Sequence, residues 1–107
     1  NAAFDEHNLE NKDDAFHLMH TARQLLLDYQ EYDPYKRDVQ INLFRTEILL
    51  SNWGQTDFTE QAVHRAERIF KLYPAYLSML QIVADDMRFV GRDDLADEYN
   101  ARINAAR

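Results

Sequence analysis

The sequence predicts an all-α protein of five antiparallel helices. Three observations carry the prediction. Apolar residues recur at steps of three and four from Ala15 to Ile103, the repeat of a helix with one buried face. Only two glycines and two prolines punctuate the 107 residues, so the turns are few and short. No segment reads as a strand.

The first helix starts at Asp13 or Asp14, either of which suits an N-cap, and carries Ala15, Met19, Ala22, Leu26 and Tyr29 at helical spacing. Pro34 biases Asp33 out of the α region and ends that helix. Asp38 is positioned to cap the second, whose stripe is Ile41, Phe44 and Ile48, widened by Leu43 and Leu50; it ends near "SNWG". Asp57 or Thr59 caps the third, with Ala62, Ala66, Ile69, Phe70 and Tyr73, and Pro74 stops it. The fourth begins at once, and Tyr76, Leu77, Leu80, Val83, Ala84, Met87 and Val90 cover most of its circumference, which predicts the most buried helix. Gly91 supplies a left-handed C-cap. The fifth runs from Asp93 through Leu95, Ala96, Tyr99 and Ile103, with a polar outer face that suits a terminal element. Residues 1–12, "NAAFDEHNLENK", are expected as a flexible N-terminal segment ahead of one helical domain over 13–107.

Composition removes several function classes. A chain of this length buries about 65% of the surface its unfolded form exposes, enough for a core without staples. There is no cysteine, hence no disulfide, thiolate nucleophile or cysteine-based zinc site. The longest apolar runs, "LLL" at 25–27 and "ILL" at 48–50, fall far short of the roughly 18 residues of a membrane span. Direct membrane insertion is therefore not expected. The start lacks an initiator Met, a basic segment and an apolar core, so it is neither a signal peptide nor an obvious natural start, and an excised domain is the expectation. The compartment, cytoplasm or periplasm, stays undecided.

Net charge is −7, with eight acids against two bases in residues 1–33, five against six in 34–73, and six against four in 74–107. An acidic chain repels a phosphate backbone. The nearest thing to a basic patch is His64, Arg65, Arg68 and Lys71 on one side of the third helix, and a solvated helix face near a helix C-terminus explains those residues. Nucleic acid is not an expected partner.

The punctuation is periodic. Ala22 precedes Pro34 by twelve residues, as Ala62 precedes Pro74, and Ala96 follows Ala62 by 34, the period of helix-turn-helix repeats. The prolines then read as joints between hairpins, with the tyrosines around them plugging the junctions. On these landmarks the chain resembles the tetratricopeptide repeat family over residues 15–107, about two and a half units. "AVHRAERIFKLYP" resembles that family's second helix and closing proline, with Ala62, Ala66, Ile69 and Pro74 in place. "AYLSMLQIVADDMRFVGRDDLADEYNARI" supplies Leu80, Val83 and Ala84, then the Gly91 turn and Ala96. The earlier unit departs: Phe44 stands where a small residue is usual, Ser51 stands at the turn glycine, and "NWGQTD" adds six residues.

The resemblance implies a short α-solenoid that binds protein without catalysis. The first helices of its units would line a groove for a protein or peptide through Asp38, Arg45, Ser78, Gln81, Asp85 and Arg88. Ile41 occupies a place where the family's carboxylate clamp needs a polar residue, so capture of a chaperone C-terminus is not implied. Trp53, in the inserted loop, is either a partner-facing aromatic or an anchor folded onto the bundle. Because half a repeat is missing before helix one, that helix should present an apolar strip to something else: an upstream part of its parent chain, a second copy in a homodimer, or a target.

Signs of catalysis are sparse. His17 and His20, three apart in "HLMH", have a spacing that can ligate metal, with His64 a conceivable third, but no matching acid completes the set. A calcium loop started at Asp86 places Gly91 sixth yet puts Arg88 at the third ligand position, which fails. No phosphate-cradling glycine loop or nucleophile elbow is present, and no cofactor is implied. Two alternatives to the interaction module remain open. One is the helical tail of a bacterial membrane glycan enzyme of the O-antigen ligase or polymerase type, from a resemblance in "LLLDYQEYDPYKRDVQI". The other is a small metal-dependent hydrolase built on the histidines.

Overall fold

The computed structural model describes residues 12–107. The flexible segment expected over 1–12 therefore lies outside the described residues, except that Lys12 opens the first helix. Five α-helices follow: α1 (Lys12–Tyr32), α2 (Arg37–Asn52), α3 (Asp57–Leu72), α4 (Leu77–Phe89) and α5 (Asp93–Ala106). There is no strand among the described residues. α2 pairs with α3 and α4 with α5 as two hairpins, α2 and α3 both touch α4, and α1 packs on α2. The result is a layered stack with α1 at one end and α5 at the other.

The joints repeat in detail. Between α1 and α2, and between α3 and α4, four residues with proline at the second place connect the helices. In each, the first connector residue donates its N–H back into the ending helix, Asp33 to Tyr29 O and Tyr73 to Ile69 O. The fourth then donates to the first, Lys36 to Asp33 O and Tyr76 to Tyr73 O. The two joints also touch. The Tyr73 hydroxyl donates to Tyr35 O at 2.7 Å, and the Arg37 guanidinium lies 4.0 Å over the Tyr76 ring. Of the tyrosines expected to plug these junctions only Tyr73 is buried; Tyr32, Tyr35 and Tyr76 are exposed.

Within the hairpins the turns close on glycine. Gly91 (φ +83°) donates to Arg88 O and Arg92 to Met87 O; Gly54 (φ +107°) donates to Ser51 O and Gln55 to Leu50 O. Both are the paired bonds of a Schellman cap. Gly54 is thus the turn glycine of the first hairpin, correcting the assignment of that place to Ser51. Counting residues misplaced it because α2 has 16 residues and α4 only 13. Ser51 is instead a buried residue of α2 whose hydroxyl meets that of Thr59.

Two further expectations change. Asp38 sits inside the first turn of α2, and Asp57 and Asp93 are the first residues of α3 and α5, while the cap positions fall to Lys36, Thr56 and Arg92, none with a side-chain cap bond. The acids therefore favour the helices through charge at the N-terminus. The most buried helix is α2, with nine buried residues, against five in α4. Being flanked by α1, α3 and α4, it is the middle layer.

The core is in two parts. The larger joins Phe44 and Ile48 of α2, Ala62, Ala66 and Ile69 of α3, Leu80, Val83, Ala84 and Met87 of α4, and Ala96, Tyr99 and Ile103 of α5. A smaller one, Met19 with Leu50 and the partly buried Phe16, Leu49, Trp53 and Phe58, lies where α1 meets α2 and the turn beyond it.

Candidate functional site

Between the two cores lies a polar joint. Glu47, in the middle of α2, has a fully buried side chain with two arginines on it. Arg65 of α3 grips it with two bonds, Nε to Oε1 at 2.7 Å and Nη2 to Oε2 at 3.3 Å. Arg23 of α1 reaches Oε2 at 3.2 Å and donates to Gln61 of α3. Arg65 Nη1 also donates to Gln30 of α1 and Gln40 of α2 at 2.9 and 3.0 Å, and Gln40 Nε2 donates to Gln30 and to Pro34 O. Among the described residues no buried side-chain nitrogen or oxygen is left without a partner. Such a network fixes the register of α1, because each donor finds its acceptor in only one placement of the helix.

A second stripe of α1, about a quarter-turn round from its buried face, carries apolar residues toward solvent. Leu18 is 44% exposed, Leu25 66%, Tyr29 43% and Tyr32 87%, with half-buried Ala22 in line. These five are separated by four, three, four and three residues, the spacing of a coiled-coil seam. Helix α1 thus has two apolar stripes: one holds Ala15 and Met19 against the protein, and the other is largely open to solvent, with Lys36 over the Tyr29 ring near its end. The outer face of α5, by contrast, presents Asp94, Asp97, Glu98, Ala101 and Asn104.

The expected groove residues divide into two groups. Asp38, Ser78 and Asp85 are exposed and free of helix-to-helix bonds, on the solvent sides of the adjacent helices α2 and α4. The other three serve the stack. Arg45 crosses from α2 to Asp86 of α4 at 3.1 Å; Gln81 Nε2 donates to Asp85 and to Asn100 of α5; Arg88 reaches Asp93 and Asp97 of α5. Burial lifts the Asp86 carboxyl above its ordinary range, with Arg45 pulling the other way. Trp53 belongs to the cluster under α1, its ring edge-on to Phe16 at 5.5 Å, so it anchors the turn onto α1.

His17 and His20 are both exposed. His20 Nε2 is hydrogen-bonded to Gln55 Oε1 at 2.8 Å and its ring rests against Phe58, while His64 lies on α3. Among the described residues no three histidines or acids gather at a distance that could hold a metal. A cleft of about 680 Å³ opens beside the polar joint, lined by Gln30, Gln61, His64, Arg65, Glu67, Arg68 and Lys71. It collects the basic residues noted in the sequence. Arg65 is spent on Glu47, and Glu67 is tied to Arg102 and the Tyr99 hydroxyl.

Sequence reading missed Glu47 with its arginines, and it expected an apolar strip on helix one without marking Leu18, Leu25 and Tyr32 as its residues. The signals were present. Glu47 interrupts the otherwise apolar stripe of α2, Arg65 sits between Ala62 and Ala66, and Leu18 and Leu25 lie off the face marked by Ala15 and Met19. Among the described residues no helix is long and apolar enough to cross a membrane. The chain matches no family model, no curated protein and no solved structure.

Proposed function

We propose that the chain is a non-catalytic protein-binding module, built in the manner of tetratricopeptide hairpins, whose open end is α1. The observation that carries the reading is the contrast between the two ends. A layer that ends a helical stack in water has a polar outer side, whereas an internal layer is apolar on both sides. α5 has a polar outer side, whereas α1 adds an exposed apolar stripe beside its buried face. Four large exposed apolar residues in one line form a patch that marks an interaction surface, where singly scattered ones would carry no message. The buried ionisable groups support the same reading, since Glu47, Arg23 and Arg65 are consumed in holding three helices together.

The test is an apolar-surface dye combined with sedimentation. The wild-type chain is expected to bind the dye if monomeric, or to bury the face by association. Leu18→Glu with Leu25→Glu should abolish either behaviour while leaving the melting temperature unchanged. A monomer that binds no dye overturns the proposal.

A further inference from the structure

The α1 seam also carries information about what fits it. We infer that it docks an amphipathic helix of a separate protein, with leucine or aromatic residues at three-four spacing and lysine or arginine along its edges. The inference rests on the reading of the chain as a protein-binding module and adds the chemistry of the partner.

The seam spans Leu18, Ala22, Leu25, Tyr29 and Tyr32, about two heptads, so a second helix can interleave side chains with it along its length. Its two edges differ. The inner edge, Met19, Leu26 and Asp33, adjoins the α1–α2 contact. The outer edge is Asp14, Thr21 and Asp28 at steps of seven, all exposed, with His17, Gln24 and Glu31 in the next row. The one arginine of α1, Arg23, is turned the other way and committed to Glu47. Lys36 sits over the Tyr29 ring at the far end of the seam. A docking helix therefore meets apolar side chains flanked by carboxylates, which favours basic residues along its edge.

The same charges oppose a second copy of this chain. Seam to seam and antiparallel, outer edge faces outer edge, and neither edge carries a base to pair with the copy's Asp14 and Asp28. In the parallel arrangement Asp28 approaches the copy's Asp33. Tyr29 and Tyr32, amphipathic and stiff, suit a surface that is open in one state and covered in another.

The experiment uses the 107-residue chain and two synthetic helical peptides of three heptads, identical in their leucine seam, one with lysine and one with glutamate at the edge positions. Calorimetry should show the lysine-edged peptide binding and the glutamate-edged one not. Leu25→Glu separates docking from mere attraction: it makes the face more acidic, so simple electrostatic adsorption would tighten, whereas docking should weaken about tenfold or more. Asp14→Lys with Asp28→Lys should transfer the preference to the glutamate-edged peptide. Equal binding of both peptides, still sensitive to Leu25→Glu, overturns the partner chemistry and leaves the module reading standing. So does a homodimer that Leu25→Glu dissolves. Binding of neither peptide together with absence of dye binding overturns both.

Discussion

Glu47 is the residue on which the α1 side of the protein depends. A carboxylate with no exposed surface is tolerable only because two guanidiniums share its oxygens and two glutamines fill the remaining bonds of Arg65. Removing one partner of a buried pair costs more than the pair contributes, because the surviving charge is left in a poor solvent. Glu47→Ala strands two arginines, each with less than a fifth of its side chain exposed. It is expected to lower stability by about 3–5 kcal/mol, read from urea unfolding. A loss under about 1 kcal/mol, the range of exposed pairs, would show that water reaches the site. The corresponding places of the second hairpin, forty residues on from α2, make the contrast plain. Met87 stands opposite Glu47 and Leu80 opposite Gln40, and both are core. These two scaffold positions are thus apolar where hairpin meets hairpin and polar where hairpin meets α1.

At the scale of the element, the four connections fall into two kinds. Proline turns join hairpin to hairpin, and glycine turns close each hairpin on itself. The glycines are required by backbone conformation: a Cβ at Gly54 or Gly91 would meet nothing within 4 Å, yet both have φ in the left-handed region. Gly91→Ala should therefore cost about 1–2 kcal/mol without disturbing the fold, and Gly91→Asn less, since asparagine tolerates that region. Thermal melting of the two variants checks the order; equal losses would point to a packing cause instead. The Pro34 and Pro74 joints were legible in the sequence because proline acts locally, restricting its own φ and the residue before it. The Gly54 turn was not, because its place depends on how far α2 continues, and α2 runs on past Ser51 under the cover of α1 and α3.

The whole molecule is longer than a sphere of its size, with a radius of gyration of 14.2 Å and extents of 45 × 33 × 23 Å, against about 13 Å for a compact 100-residue domain. Elongation follows from stacking layers in one direction. The two hairpins share one continuous core; α1 is attached by the Met19–Leu50 cluster and the polar joint. Less apolar area holds it, so α1 should open before the rest unfolds. Hydrogen exchange is expected to show the inner amides of α1 opening at lower free energy than those of α2 and α4. Equal protection across all three would mean that the polar joint couples α1 fully to the hairpins.

The number of helices, the two proline joints, the Gly91 turn and the apolar faces of α2 to α5 were determined by the sequence alone, because periodicity and the conformations of proline and glycine act over a few residues. Where the order of layers decides a residue's surroundings, local pattern is silent. Only the tertiary structure made α2 the middle layer, drew Arg23, Glu47 and Arg65 from three helices onto one point, turned Gln81 and Arg88 toward α5, and left Leu18, Leu25 and Tyr32 uncovered. A charge can be seen in a sequence, but its partner lies across the fold, and a stripe of leucines on a helix does not say which of two faces a neighbour will cover.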